Sequence, residues 1–391
     1  MYQQRIVIVG AGIVGLATAY ALLKQGMQHV TVLEQATVDH GRSTSHGLSR
    51  LLRFEYGNDH FYSEMVQLSL KRWKSLELVS GRTLYTRTGL LALGNEDDNF
   101  TLPSYLTLNE LGLSPERLSR RYCRQHFPQF DVDTYDLFTY NRDAGLLHAS
   151  SCLHTLKELI LELGGKIFEN ARIASFSHEN TLRPIRLHLA NDDEMQADRL
   201  VLATGPWVHR LLDDLHLPIR LTRQYLLYFA NLPASLFALH KFPAFLADNL
   251  YGFPLHNTCT QNGPGWLKAA SHDFGVPVDP DAAPVIDSDI IASIVARLCK
   301  LLPALEQAEL ARVEACMYDV SPDENFILDR LPYDPRIVFA TGLSGHGFKF
   351  GLLLGEILSC LVRDLPPPVA IERFRMARLA HPWRSQITSV A

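Results

Sequence analysis

The sequence predicts an α/β chain, α+β overall, in which a parallel strand–helix–strand unit is interrupted by a β-rich antiparallel sheet. Three observations predict this. Residues 5–35, RIVIVGAGIVGLATAYALLKQGMQHVTVLEQ, read as strand, glycine turn, helix and strand. Residues 199–215 and 336–350 each carry an apolar strand ending in Ala-Thr-Gly, so the opening style of chain returns near the end. Between them, residues 223–229, 250–255 and 265–275 are strand-like and aromatic.

In the opening unit, residues 6–9 are a short β-branched run, as a buried parallel strand should be. Residues 10–15, GAGIVG, supply G-x-G-x-x-G around Ile13 and Val14. Gly10 permits a tight turn, Gly12 lets the backbone approach a pyrophosphate, and Gly15 lets helix and strand pack closely. Residues 16–25 have helix-forming composition, and Gly26 fits a C-terminal stop. The helix N-terminus would face phosphates with its partial positive charge. Residues 30–34 form a second strand ending in Glu34, which can accept hydrogen bonds from a ribose diol, with Gln35 beside it. The full strand–loop–helix–strand–acid context predicts a Rossmann-like dinucleotide site rather than an ordinary glycine-rich turn. It does not separate NAD from FAD.

Residues 40–57, HGRSTSHGLSRLLRFEYG, follow as a polar, cationic loop offering Ser43, Ser45, His46, Arg50 and Arg53. Arg50 and Arg53 lie three apart and would share a face on a helical turn. Leu51 and Leu52 argue that the arginines are not on a fully exposed segment. His40 and Arg42 read as solvated surface.

Residues 83–94 alternate well enough to be a strand pair. A helix is expected over about 150–163, then Gly-Gly and a strand. An amphipathic helix is expected within 287–305, with Asp287 as N-cap. The domain reading is discontinuous. Residues 1–82, 145–216 and 316–391 form the cofactor domain, and 83–144 and 217–315 form the substrate domain.

Composition bounds the class. Hydrophobic residues make up 47% and charged residues 20%, as in an ordinary globular chain. A net charge of −5 gives no reason to expect nucleic acid or an anionic membrane as partner. Six scattered cysteines, without CxxC or metal spacing, indicate neither a disulfide framework nor a metal site, and favour a reducing, cytoplasmic compartment. Residues 6–23 carry no charge and could be mistaken for a membrane span, but the glycine spacing argues for the nucleotide unit. The expectation is a soluble protein without a targeting segment, acting as a monomer.

Residues 315–329, ACMYDVSPDENFILD, followed by 342–359, GLSGHGFKFGLLLGEILS, resemble the C-terminal region of the monomeric sarcosine oxidase and N-methyltryptophan oxidase family. These are FAD-dependent oxidoreductases of the glycine/D-amino-acid-oxidase type. The resemblance extends through SHGLSRLLRFEYG, RTGLL, DAGLLHAS, LATGPW and LKAASHDFG. It implies FAD, a secondary or N-alkyl amino acid as substrate, O2 as oxidant, and an imine and H2O2 as products. Cys316, next to Met317, matches the cysteine that links covalently to the flavin 8α-methyl. Arg53 and Lys349 match the pair that grips the substrate carboxylate, and Lys268 the lysine that activates O2. Arg50 matches the first arginine of the flavin-facing pair, and His46, His272 and Tyr318 further active-site positions. Ala203, Gly205 and Trp207 in LATGPW belong to the expected cofactor set. So do Gly342, Ser344, Gly345, His346, Gly347 and Phe348. Taken alone, Trp207 reads as core, Lys268 as surface, His272 as a loop histidine and Cys316 as packing, like the other five cysteines.

The chain departs from that family at two places. Leu250 stands where the first of two adjacent tyrosines is expected, leaving Tyr251, and Leu48-Ser49 replaces an Asp-Thr pair. A more apolar pocket follows, suited to a bulkier or cyclic substrate rather than sarcosine. Three further readings stay open: a dehydrogenase passing electrons to another acceptor, a D-amino acid or imino acid oxidase, and a flavoprotein scaffold without turnover.

Overall fold

A computed structural model describes residues 3–179, 182–257 and 265–379. Cys259, read above as packing, and the end of the chain from residue 380 lie outside the described residues. The opening unit builds a six-stranded sheet. Its order is Ile327–Arg330, Ile337–Thr341, Arg199–Leu202, Arg5–Val9, His29–Leu33 and Lys166–Phe168. All neighbours are parallel except the antiparallel edge strand Ile327–Arg330. The two Ala-Thr-Gly strands are therefore hydrogen-bonded neighbours in one sheet.

The apolar residues of Ile13–Lys24 bury that helix against Gly351–Val362 and Ala149–Glu162. The approach is close. A Cβ at Gly351 would lie 2.3 Å from Ile13 Cγ1, and one at Gly355 would lie 2.4 Å from the Ala17 carbonyl carbon. The uncharged run 6–23 is thus a buried strand and helix. Among the described residues, no helix is long and apolar enough to cross a membrane.

The second sheet has eight strands in the order Glu309–Val320, Arg220–Ala230, Leu267–Ser271, Leu250–Gly252, Ala244–Ala247, Leu90–Gly94, Leu137–Asn141 and Glu116–Leu118. Only the Ala244–Ala247 and Leu90–Gly94 pair is parallel. The helix Ser288–Leu301 packs Ile291, Ile294, Leu298 and Leu301 into a cluster with Phe229, Phe237, Phe242 and Phe245. Asp287 caps it as expected, accepting from the Asp289 and Ile290 amides at 3.1 Å.

Three local expectations are corrected. Residues 83–94 do not pair with each other. Tyr85–Arg87 joins Gly145–His148 and Ser49–Leu52 in a small sheet, while Leu90–Gly94 enters the eight-stranded one. Gly89 turns the chain between them at φ +69°, where a Cβ would lie 2.1 Å from the Tyr140 hydroxyl. Arg50 sits on the strand Ser49–Leu52, so it shares no helical face with Arg53, because pairing with Gly145–His148 extends the backbone. The first helix starts at Ile13, three residues early, because Gly12 O accepts from Leu16 N and closes the first turn inside the glycine motif.

Candidate active site

A cavity of about 780 Å³ runs from the carboxyl ends of the parallel strands to the face of the eight-stranded sheet. Gly10, Glu34 and Ala203 each follow or flank such a strand end, the usual place for a ligand in an open α/β sheet. At this end the wall is Gly10, Gly12, Ile13, Val14, Glu34 and Gln35, with Ser43, Ser45, Ala203, Gly205 and Trp207 beside them. Gly10 has φ +103°, and a Cβ there would lie 2.3 Å from Ala203 O. Gly15 is behind the wall, where a Cβ would lie 1.9 Å from Gly10 O. The turn therefore closes against the Ala203 backbone and its own helix only because both positions lack side chains.

Glu34 accepts from the Ala11 amide at 2.8 Å and the Ala36 amide at 3.0 Å. Burial alone would raise its pKa, but His40 and these amides outweigh it and hold the carboxylate charged. His40 lies 3.5 Å from Glu34 and is mostly buried, which corrects its reading as solvated surface. The cause is simple: the loop after the strand folds back over the acid that ends it. Arg42 is half-exposed and donates to Pro280 O. Trp207 donates from Nε1 to Asp281 at 2.9 Å and is both core and wall.

The far end of the cavity gathers residues from distant segments. Arg50, Arg53, His272, Cys316, Met317 and Tyr318 line it, with Gly345, His346, Gly347, Phe348 and Lys349 opposite. Arg50 is fixed by the carbonyls of Ser49, Thr44 and His46 and lies over the Phe348 ring. The Arg53 guanidinium carbon is 4.7 Å and the Lys349 Nζ 5.0 Å from the centroid of one ring, Tyr56. Arg53 Nη1 is buried without a hydrogen-bond partner among the described residues. Burial and then Arg53 push the Lys349 pKa well down, against the pull of Glu55. Burial, with Arg53 and Lys349, lowers His272 to about 4, so its imidazole is neutral near neutral pH. The buried Tyr251 and Tyr318 hydroxyls share a hydrogen bond, and burial pushes Tyr251 up to about 12.

Besides Gly15, four expected residues lie behind the wall rather than on it: Lys268, His46, Gly342 and Ser344. Lys268 is 1% exposed and donates to Ser49 O at 2.6 Å; burial and Arg50 hold its pKa well down. His46 turns its Nδ1 to Asp39 at 2.9 Å, and that contact raises its pKa. Ser344, at φ +50°, and Gly342 shape the loop from beneath: Ser344 N donates to Asp319 O. Cys316 faces the cavity with its thiol pKa raised by burial and opposed by Arg50 and Lys268.

Sequence reasoning missed several residues. Glu55 is buried beside Arg53, and Asp319 accepts from the Leu343 amide under the glycine loop. Both acids stand inside segments already singled out, and an acid next to a site arginine was the available signal. Asn95, Asp98, Asn99 and Phe100 line the cavity mouth without any motif. Asp98 is occupied in accepting from the Phe100 and Thr101 amides where the helix Thr101–Glu110 begins.

The glycine turn without side chains, the 12-residue helix whose N-terminus meets the cavity and the amide-held Glu34 fit the FAD that the resemblance implies. Comparison with known proteins agrees. The profile of the FAD dependent oxidoreductase (DAO) family matches residues 5–361. The peroxisomal sarcosine oxidase of Mus musculus is 34% identical over 388 residues, covering 96% of each chain. The N-methyl-L-tryptophan oxidase of Yersinia pestis (strain Pestoides F) is 29% identical, covering 95% of this chain and 98% of its own. The solved L-proline dehydrogenase from P. horikoshii shares the fold with a TM-score of 0.83 and 21% identity, over 96% of this chain and 98% of its own.

Proposed function

From the premise that the chain belongs to the FAD-dependent oxidoreductase (DAO) family, we propose that it oxidises the C–N bond of a secondary or N-alkyl amino acid and passes the electrons to O2. The amine loses two electrons and two protons to become an imine, and O2 takes both up as H2O2. Bound FAD supplies the two-electron acceptor for this exchange.

One observation carries the reading: the basic groups of Arg53 and Lys349 meet over one aromatic ring at the cavity wall, with Arg53 Nη1 buried and unpartnered among the described residues. Buried charge without a counterpart is unstable, so this pair fits a substrate carboxylate. Arginine supplies a planar fork and lysine a point charge. With the carboxylate fixed there, His272, Tyr251 and Tyr318 border the amine end. A neutral His272 neither repels nor protonates an approaching amine. Leu246, Leu250 and Phe253 add apolar wall, which supports an N-alkyl or cyclic substrate larger than sarcosine. The relatives named for sarcosine and N-methyl-L-tryptophan support the N-alkyl class.

The same reading assigns Cys316 the covalent flavin link and Lys268 the cation that assists O2. It also makes the protein cytoplasmic, on the strength of its scattered cysteines, and a monomer, on the strength of the resemblance. A peroxide assay over a panel of secondary, N-alkyl and cyclic amino acids tests the whole. Peroxide from the bulkier members is expected, and turnover of sarcosine alone would overturn the substrate reading. Turnover with a redox dye but not with O2 would replace the oxidase by a dehydrogenase.

A further inference from the structure

The two cavity arginines are held in different ways. Arg50 donates to the carbonyls of Ser49, Thr44 and His46, so the protein itself takes up its donors. Arg53 Nη1 has no such partner among the described residues. Rings hold Arg53 instead. Its guanidinium carbon lies 4.7 Å from the Tyr56 centroid and 5.4 Å from the Phe100 centroid. A ring contact steadies a guanidinium without consuming an N–H donor, so the fork stays open toward a ligand.

Tyr56 belongs to the same stretch of chain as Arg53. Phe100 comes from elsewhere, the loop that leaves the eight-stranded sheet after Leu90–Gly94. It is half-buried and lines the cavity. The backbone there is fixed without help from the ring. Asp98 accepts from the Asn95 amide at 3.1 Å and the Phe100 amide at 2.9 Å. The helix that follows Phe100 is tied to the stretch that follows Arg53, because Gly57 N donates to Ser104 Oγ at 2.8 Å. The Phe100 side chain is therefore presented to Arg53 by a loop whose shape does not depend on that side chain.

We propose that Phe100 is a positioning residue, whose ring holds Arg53 in the orientation that receives the substrate carboxylate. This rests on the reading that Arg53 grips that carboxylate. Without the ring, Arg53 gains rotamer freedom that it must give up again when a carboxylate binds.

Propionate, titrated into the FAD-loaded protein and followed by flavin absorbance, tests it. Phe100→Leu keeps apolar bulk but removes the ring, and should weaken propionate about three- to tenfold, the usual cost of ordering one long side chain. Phe100→Tyr restores the ring and should bind within about twofold of the wild type. In an Arg53→Met background, Phe100→Leu should change the dissociation constant by less than about twofold, because no guanidinium is left to hold. A residue that only supports the fold would give the same loss in both backgrounds. That result, an unchanged Phe100→Leu, or equal losses for Phe100→Leu and Phe100→Tyr would overturn the proposal. The comparison of Phe100→Leu with Phe100→Tyr decides alone if Arg53→Met fails to load FAD or binds propionate too weakly to measure. If propionate does not bind the wild type, or binds Arg53→Met equally well, the carboxylate reading itself falls, and this inference with it.

Discussion

Lys268 Nζ donates to the carbonyl of Ser49 at 2.6 Å, tying the eight-stranded sheet to the small sheet beside the cavity. That contact holds a buried amine within electrostatic reach of Arg50 and Cys316, with its pKa pushed well down by burial and Arg50. Lys268→Met should slow reoxidation of the reduced protein by O2 by about 100-fold or more, the usual loss when one charge-stabilising donor is removed. Anaerobic reduction by substrate should change by less than about tenfold. Stopped-flow measurement of the two half-reactions separates them, and equal losses in both would deny Lys268 this role.

Cys316 faces the cavity with a thiol whose pKa burial raises and Arg50 and Lys268 pull back. Acid precipitation of the wild type should leave the yellow colour in the pellet. Cys316→Ser should release all of its FAD to the supernatant. A colourless wild-type pellet from fully loaded protein would end the covalent proposal.

Arg53 and Lys349 should act as a unit on one carboxylate. Arg53→Met or Lys349→Met should weaken substrate binding by about 2–5 kcal/mol, read as a rise in KM. The double variant should fall well short of the sum, since each single change already leaves the carboxylate poorly held. Additive losses would show that the two cations serve different ligands.

Gly345 has φ +76°, and a Cβ there would lie 2.4 Å from Tyr318 Cε2. Gly345→Ala should lose about 1–3 kcal/mol of stability from backbone strain, and more if the Tyr318 ring is displaced. Thermal unfolding measures the first effect. FAD content of the purified variant, expected to drop, measures the second.

Asp319 is buried under the glycine loop, and burial raises its pKa to about 6 against the hydrogen bonds from Leu343 and Thr341. The fold thus favours the neutral carboxyl. Its stabilising contribution is complete below about pH 4, the unfolded value, and is lost as pH rises through about 6. Asp319→Asn should therefore stabilise the apoprotein by about 2–3 kcal/mol at pH 8 and by almost nothing at pH 4. Urea unfolding at the two pH values decides it, and a variant less stable at pH 8 would refute the assignment.

The parts legible in the sequence were those whose physics is local. Gly10, Gly15 and Glu34 could be placed because a strand, a turn and a helix fix them within 30 residues, and Asp287 because a cap acts on the next two amides. What was misread depended on distant partners. Nothing near Arg50 says that Gly145–His148 will pair with its strand, and helical spacing fits the same letters. His40 was assigned to solvent because the fold-back onto Glu34 leaves no trace in composition. Lys268 meets Ser49 across 219 residues, a contact that the residues near either position could not announce.

The close seating of Gly351 and Gly355 on Ile13 and Ala17 has a consequence for biosynthesis. The helix that carries the phosphate-facing turn is made long before the surface it packs against. Until that late segment emerges, Ile13 and Ala17 have no glycine surface to pack against, and the turn in front of them is unsupported. A chain that stops short of Gly351 would leave the apolar face of that helix uncovered and the glycine turn without its backing.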